Sequence, residues 1–240
     1  IFLPLNEFEP LVNLGVQGDD PLLRDNGTRG NFESPTFRRA LDFYVEMFRR
    51  GWAPPMSNQE ISNVWDEFAK GFFTFYITGP WNVGEFRRRL PPDMQDRWDT
   101  APLPGPDGPG AAIAGGSSLV MFSNGTHKRE VWQLIEFLSE PRQQARFHAL
   151  CGDLPPRRST WNDPELANDV HARAFRDQLE RVKPTPKVPE WERIAQQLRI
   201  ASERVVRGGE SADVALRDLD ARADEILEKR RWMLARNGAR

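Results

Sequence analysis

The chain is expected to fold as a helix-rich α/β protein, and three observations carry that expectation. Several long segments repeat apolar residues every three and four positions, the spacing that lines them along one helix face. Two short runs, "FFTFYIT" at 72–78 and "GGSSLVMFS" at 115–123, are rich in strand-forming residues and read as strands, the first of them buried. Between them, "RWDTAPLPGPDGPG" alternates proline with glycine. Such a stretch is neither helix nor central strand, so it reads as a segment crossing between parts of the fold.

The clearest helix is "SPTFRRALDFYVEMFRRG", 34–51. Ser34 is a natural cap and Pro35 suits the first helical position. Phe37, Ala40, Leu41, Tyr44, Val45 and Phe48 form its apolar face, and Gly51 is a natural stop. A second helix carries Ile61, Val64, Trp65 and Phe68, with Gly71 behind it; Trp65 on this stripe is expected in the core. After 72–78, Thr78-Gly79-Pro80 turns the chain and sets Trp81 at the head of a short helix that includes Arg87–Arg89. The turn keeps Trp81 from following the strand inward, so its indole is expected to be exposed. Helices follow at about 128–138 (Val131, Leu134, Ile135, Leu138) and 141–150. "CGDLPPRRSTWNDP", 151–164, is an irregular loop whose Asp163-Pro164 caps the next helix. The last two helices span about 189–207 and 211–234, parted by Gly208-Gly209, with Ser211 as the second cap.

Composition narrows the chemistry. The 240 residues, 39% hydrophobic and 28% charged, suffice for one large or two small domains. A net charge of −2 and a pI near 6.0 give no field that favours nucleic acid or an anionic membrane. Cys151 stands alone, so there is neither an internal disulfide framework nor a cysteine-based zinc cluster. No apolar run has the length of a membrane-spanning helix. The chain opens on Ile1 with "IFLPLNEFEPLV" and no signal peptide, so it is expected to be a piece of something longer. His127, His148 and His171 form no metal-ligand pair, and no metal or other cofactor is expected. Gly105, Gly108 and Gly110 lack the Lys-Ser/Thr of a phosphate loop. The run Arg87–Arg89 reads as a solvated face. Glu7 with Glu9, and Asp66 with Glu67, are the carboxylate pairs near expected loops. As acid and base they would suit glycoside hydrolysis; as ordinary side chains they are solvated or capping groups.

Three irregular places gather aromatic, glycine and arginine residues: "TGPW" at 78–81, "AGGSS" at 114–118 and "LPPRRSTW" at 154–161. A sugar ring offers apolar C–H faces and a rim of hydroxyls. An aromatic platform meets the face, charged groups and backbone N–H groups meet the rim, and glycines let the backbone approach. The same residues also read as three ordinary turns in which a tryptophan fills a gap, and the residues alone weigh the two readings equally.

The order of "VWDEFAKGFFTFYITGPW", "APLPGPDGPGAAIAGGSSLVMF", "HKREVWQLIEFLSEPRQQARF", "LPPRRSTWNDP" and "PEWERIAQQLRIASERVVRGGESADVALRDL" resembles the family 1 extracellular solute-binding proteins of ABC sugar importers, the maltose/trehalose-type members above all. The resemblance runs from about residue 30 to 230. It implies a periplasmic-binding-protein clamp of two α/β lobes, of which this chain is the C-terminal portion. Residues 1–103 and 151–240 would belong to the C-terminal lobe, and 104–150 would cross over and pack in the N-terminal lobe. Trp81 matches the family's stacking tryptophan after Gly-Pro, Gly115 and Gly116 its glycine pair, and Arg157, with Arg158 beside it, the arginine of its Leu-Pro-x-Arg loop. Some members carry an aromatic where Ser117 stands. Glu7 lies in the general region of a hydroxyl contact. The implied function is non-enzymatic capture of a sugar, a disaccharide such as maltose or trehalose, for delivery to the transmembrane subunits of an ABC permease. The location implied is periplasmic or otherwise extracytoplasmic, with lipid anchoring through an absent N-terminus as one form. Apolar surface left bare by an absent lobe would favour self-association. The alternatives are a carbohydrate-active enzyme domain using Glu7 or Asp66 as acid or base, and a helical scaffold whose tryptophans are all core.

Overall fold

Helices dominate the computed structural model, which describes residues 1–238 and side chains as far as Arg236. In chain order they are α1 (Glu9–Gly15), α2 (Pro35–Arg49), α3 (Val64–Ala69), α4 (Trp81–Arg89), α5 (Lys128–Leu138), α6 (Pro141–Cys151), α7 (Pro164–Asn168), α8 (Val170–Leu179), α9 (Trp191–Val206), α10 (Ala212–Ile226) and α11 (Glu228–Gly238). The strands among the described residues are three two-residue pairs. β1 (Leu23–Arg24) and β2 (Arg29–Gly30) are antiparallel, as are β3 (Pro104–Gly105) and β4 (Gly108–Pro109), while β5 (Ala112–Ile113) and β6 (Val182–Lys183) are parallel.

The chain divides into two units. The first is Ile1–Ile77, Leu103–Ala114 and the chain from Arg181 onward; the second is Thr78–Pro102 and Gly115–Glu180. The division cuts the expected crossover at 104–150: its first eleven residues stay in the first unit, where Ile113 N–H donates to Asn13 Oδ1 at 2.8 Å and Ala112 pairs with Val182.

The core of the first unit follows from the helical stripes. The Ser34 hydroxyl accepts from Phe37 N–H at 3.3 Å and starts α2, which buries Phe37, Leu41, Tyr44, Val45 and Phe48. These meet Ile194 and Leu198 of α9 and Leu216 and Leu219 of α10 in one cluster. Ser211 caps α10 by accepting from Val214 N–H. Asp220, on the inner side of α10, accepts from the N–H groups of Phe32 and Glu33 at 2.8 and 3.0 Å, and Asp224 from that of Gly30 at 2.9 Å. Burial pushes the Asp220 carboxyl up from its ordinary range, and the two N–H groups only partly oppose this.

Several expectations from the sequence are corrected. Segment 72–78 is not a strand: it makes one parallel bridge, Phe2 with Tyr76, in which Phe2 N–H donates to Phe75 O at 2.8 Å. Phe73 is buried against Phe2 while Phe75, two residues on, is exposed, so the alternation a one-faced strand needs is broken. Segment 115–123 is not a strand either. It finds no backbone ladder among the described residues, and Leu119, Val120, Met121 and Phe122 are all exposed. Trp65 is half-buried rather than core, and α3 as a whole buries none of its residues. The last expected helix breaks at Leu227 into α10 and α11. Helices α5 and α6 occur close to where periodicity puts them, yet neither buries a residue.

Candidate functional site

The candidate residues of the second unit are built around a closed turn. Thr78 Oγ1 accepts from Asn82 Nδ2 at 2.6 Å, and Gly79 O accepts from Asn82 N–H at 3.1 Å. Pro80, with φ −61°, is the cap residue of α4, and Val83 N–H donates to its carbonyl at 3.0 Å. Trp81 is therefore the first helical residue. The residue is 55% exposed, while Asn82, Val83 and Phe86 of the same helix are buried.

Helix α4 is held from below. Phe86 packs on Trp98 with ring centres 5.1 Å apart, and Trp98 stacks on His171 at 3.9 Å with the planes 11° apart. Arg87 donates to both carboxylate oxygens of Asp169, at 3.0 and 2.6 Å, and its Nη2 lies 3.0 Å from His171 Nδ1. The Asp169 carboxylate is only 7% exposed and also caps α8 by accepting from the N–H groups of His171 and Ala172. Burial alone would raise the Asp169 pKa. The Arg87 hydrogen bonds and charge, with those N–H groups, outweigh it and hold the carboxyl below its ordinary value. The arginine run is exposed, as expected of a solvated face, and it is also paired: Arg87 ties α4 to α8, and Arg88 and Arg89 both pair with Glu85 one turn back.

Gly115, Gly116 and Ser117 are exposed. Gly116 has φ +132°, which L-residues rarely adopt, so the backbone itself requires glycine there. A side chain at Gly115 would meet nothing within 4 Å, so packing does not explain that residue.

The loop after α6 separates the two arginines. Arg158 is committed: its Nη1 and Nη2 reach Glu180 at 2.5 and 2.8 Å, which raises its own pKa and lowers that of Glu180. Arg157 is exposed, and no hydrogen bond to its guanidinium is found among the described residues. Trp161, the aromatic of the same loop, is not a surface platform. It is 4% exposed, clustered with Leu166 and Ala172, and its Nε1 donates to Pro155 O at 3.1 Å.

The two carboxylate candidates lie in the first unit. Glu7 accepts from Asn58 Nδ2; burial raises its pKa, and that hydrogen bond opposes the rise. Asp66 is exposed in the first turn of α3, where Asn63 Oδ1 accepts from its N–H at 3.2 Å. Among the described residues no three His, Cys, Asp or Glu side chains are grouped to hold a metal ion. Sequence reasoning missed the Arg87–Asp169–His171–Trp98 cluster. Only the capping role of Asp169 ahead of a helix leaves a local signal.

The family of bacterial extracellular solute-binding proteins matches residues 11–174, more than half of the chain. The chain belongs to that family. A solved structure, the sugar-binding protein MalE from the phytopathogen Xanthomonas citri, is 60% identical with a TM-score of 0.94, over 98% of this chain and 59% of that one. A binding protein of Brucella abortus (strain 2308) is 27% identical over 210 residues, 87% of this chain and 50% of its own length. The maltotriose-binding protein of Pyrococcus abyssi is 24% identical over 200 residues, 79% of this chain and 42% of its own. The chain thus spans about half the length, or less, of the curated relatives it matches. The likeness to the Xanthomonas structure shows the helix-rich α/β fold of the periplasmic binding proteins.

Proposed function

We propose that this solute-binding family member captures a sugar, a disaccharide such as maltose or trehalose, and delivers it unchanged to the transmembrane subunits of an ABC permease. The observation that carries the reading is Trp81, a large aromatic more than half exposed at the head of a helix clamped by Arg87 and Asp169. An exposed indole on an anchored helix is a platform for the apolar face of a pyranose. Arg157, in the same unit and without a competing carboxylate, supplies donors for ring hydroxyls. Gly115, Gly116 and Ser117 offer a backbone that a ligand can approach closely. Arg158 and Glu7 are the weaker members of the set, the first tied to Glu180 and the second hydrogen-bonded to Asn58. The names of two relatives support a sugar, one a sugar-binding protein and the other a maltotriose-binding protein. The role is that of a receptor rather than an enzyme, working outside the cytoplasmic membrane, as the family description implies. Delivery requires two states that differ in sugar affinity.

Titration calorimetry of the full-length gene product with maltose, trehalose and maltotriose tests the reading. Saturable binding of at least one, with the sugar recovered intact by chromatography, is expected. No heat from any of the three would overturn it, and so would release of glucose, which would turn attention to Glu7 and Asp66. The bare apolar run at 119–122 and the outer faces of α5 and α6, which expose Trp132, Leu134 and Phe147, support self-association of the 240-residue chain.

A further inference from the structure

We infer that Gly79 is a positioning residue for the Trp81 platform: its missing side chain lets the indole fold back over the turn and sets where the free face of the ring lies. The inference rests on the reading of Trp81 as a sugar platform.

Two explanations for a glycine can be separated at this position. One is backbone conformation. Gly79 is not among the residues with positive φ, so an L-residue could adopt its backbone. The other is close approach, and here the geometry is specific. An ideal Cβ on Gly79 would stand 1.9 Å from Cζ3 of Trp81, 2.2 Å from Cη2 and 2.5 Å from Cε3. Such similar distances to three consecutive ring carbons place that point over the ring face, not beyond its edge. Gly79 is buried, and the indole lies on it. Non-bonded carbons settle at about 3.5–4.0 Å, so a methyl group at 79 would displace the ring by roughly 1.5–2 Å.

The three nearest atoms to that point all belong to Trp81, so the indole is the group that must give way. The turn is held by Asn82, through Thr78 Oγ1 and Gly79 O, and neither bond involves the missing side chain. Because Trp81 is more than half exposed, its ring has room to swing outward. The turn therefore tolerates alanine while the platform does not. A stacking contact depends on ring height and tilt, so a shift of this size removes much of it.

The test labels the eight tryptophans with 5-fluorotryptophan and reads fluorine NMR, with the Trp81 signal identified by its loss in Trp81→Phe. In Gly79→Ala the Trp81 signal should move while the other tryptophans hold their shifts. Affinity for maltose, measured in the full-length protein, should fall about tenfold. In a Trp81→Ala background the Gly79→Ala change should alter affinity by less than about twofold. A Trp81 signal unmoved by Gly79→Ala overturns the inference, as does an equal affinity loss in both backgrounds. Should Gly79→Ala lose its fold, rescue by Trp81→Ala is the same clash read through stability, and failure of that rescue overturns it. If Trp81→Ala leaves sugar affinity intact, the platform reading falls, while the fluorine shift still decides whether Gly79 sets the ring.

Discussion

Replacing Trp161 and Trp81 separately by alanine distinguishes a tryptophan that builds the second unit from one that faces outward. Trp161 is 4% exposed, packs with Leu166, Ala172 and Leu154, and lies under the Arg176 guanidinium at 5.9 Å. Truncating so enclosed an indole costs about 3–5 kcal/mol, and leaving Pro155 O without its Nε1 donor adds about 1 kcal/mol. Trp81 is 55% exposed, so less than half of its surface is withdrawn from water. For an indole of about 200 Å² that is roughly 90 Å², and at about 25 cal/mol per Å² the upper limit is about 2 kcal/mol. Trp161→Ala should therefore destabilise the second unit by about twice as much as Trp81→Ala, or more. Sugar affinity should show the reverse order. A central aromatic anchor is worth about 2 kcal/mol or more, so Trp81→Ala should weaken binding by about 30-fold or greater. Urea unfolding followed by far-ultraviolet circular dichroism reads the first quantity, and calorimetry on the full-length protein the second. A Trp81→Ala variant that is less stable than Trp161→Ala would refute the reasoning and make Trp81 a core residue.

Asp169→Asn should lower stability at pH 7 by about 1–2 kcal/mol, a figure held down because Arg87 is half in water. The folded pKa of Asp169 is depressed, so its stabilisation is present above the ordinary value of 3.8 and is lost as pH falls through the folded value. The gap between wild type and variant should accordingly close in urea melts below about pH 4, and a gap constant from pH 7 to pH 2 would refute the assignment. Arg157→Ala should weaken sugar binding about tenfold, and Arg158→Ala by less than about twofold, because Glu180 already engages Arg158. A larger calorimetric loss for Arg158 would reverse the assignment. Phe122→Asp, at a residue 77% exposed in the bare apolar run, should shift sedimentation of the concentrated 240-residue chain toward monomer. A wild-type chain that sediments as a monomer at every concentration would exclude self-association.

Local chemistry accounts for what the sequence foretells correctly. Ser34 before Pro35, and Ser211 before α10, mark helix starts because a side-chain oxygen meets an N–H three residues on. Phe37, Leu41, Tyr44 and Phe48 point inward because helical spacing stacks them on one face. The exposure of Trp81 follows likewise from the Gly79-Pro80 turn just ahead of it. The misreadings at 72–78 and 115–123 share another cause. Strand propensity names residues that suit a sheet, but a strand exists only where a partner backbone lies alongside. Residues 72–78 meet one bridge, and 115–123 no ladder among the described residues.

Sequence alone determined the helical content, the turn before Trp81, the absence of a cysteine framework and the near-neutral charge. Each depends on interactions within one helical turn or on simple composition. Tertiary structure alone decided that Trp161 is core, that Arg158 is held by Glu180 while Arg157 is not, and that Arg87 reaches Asp169. It also decided that the indole of Trp81 rests on Gly79. The Arg87–Asp169 pair joins residues 82 positions apart, and no local preference encodes it. Its hydrogen bonds and burial arise only after the chain has paid the entropy of bringing distant segments together, so they belong to the fold as a whole.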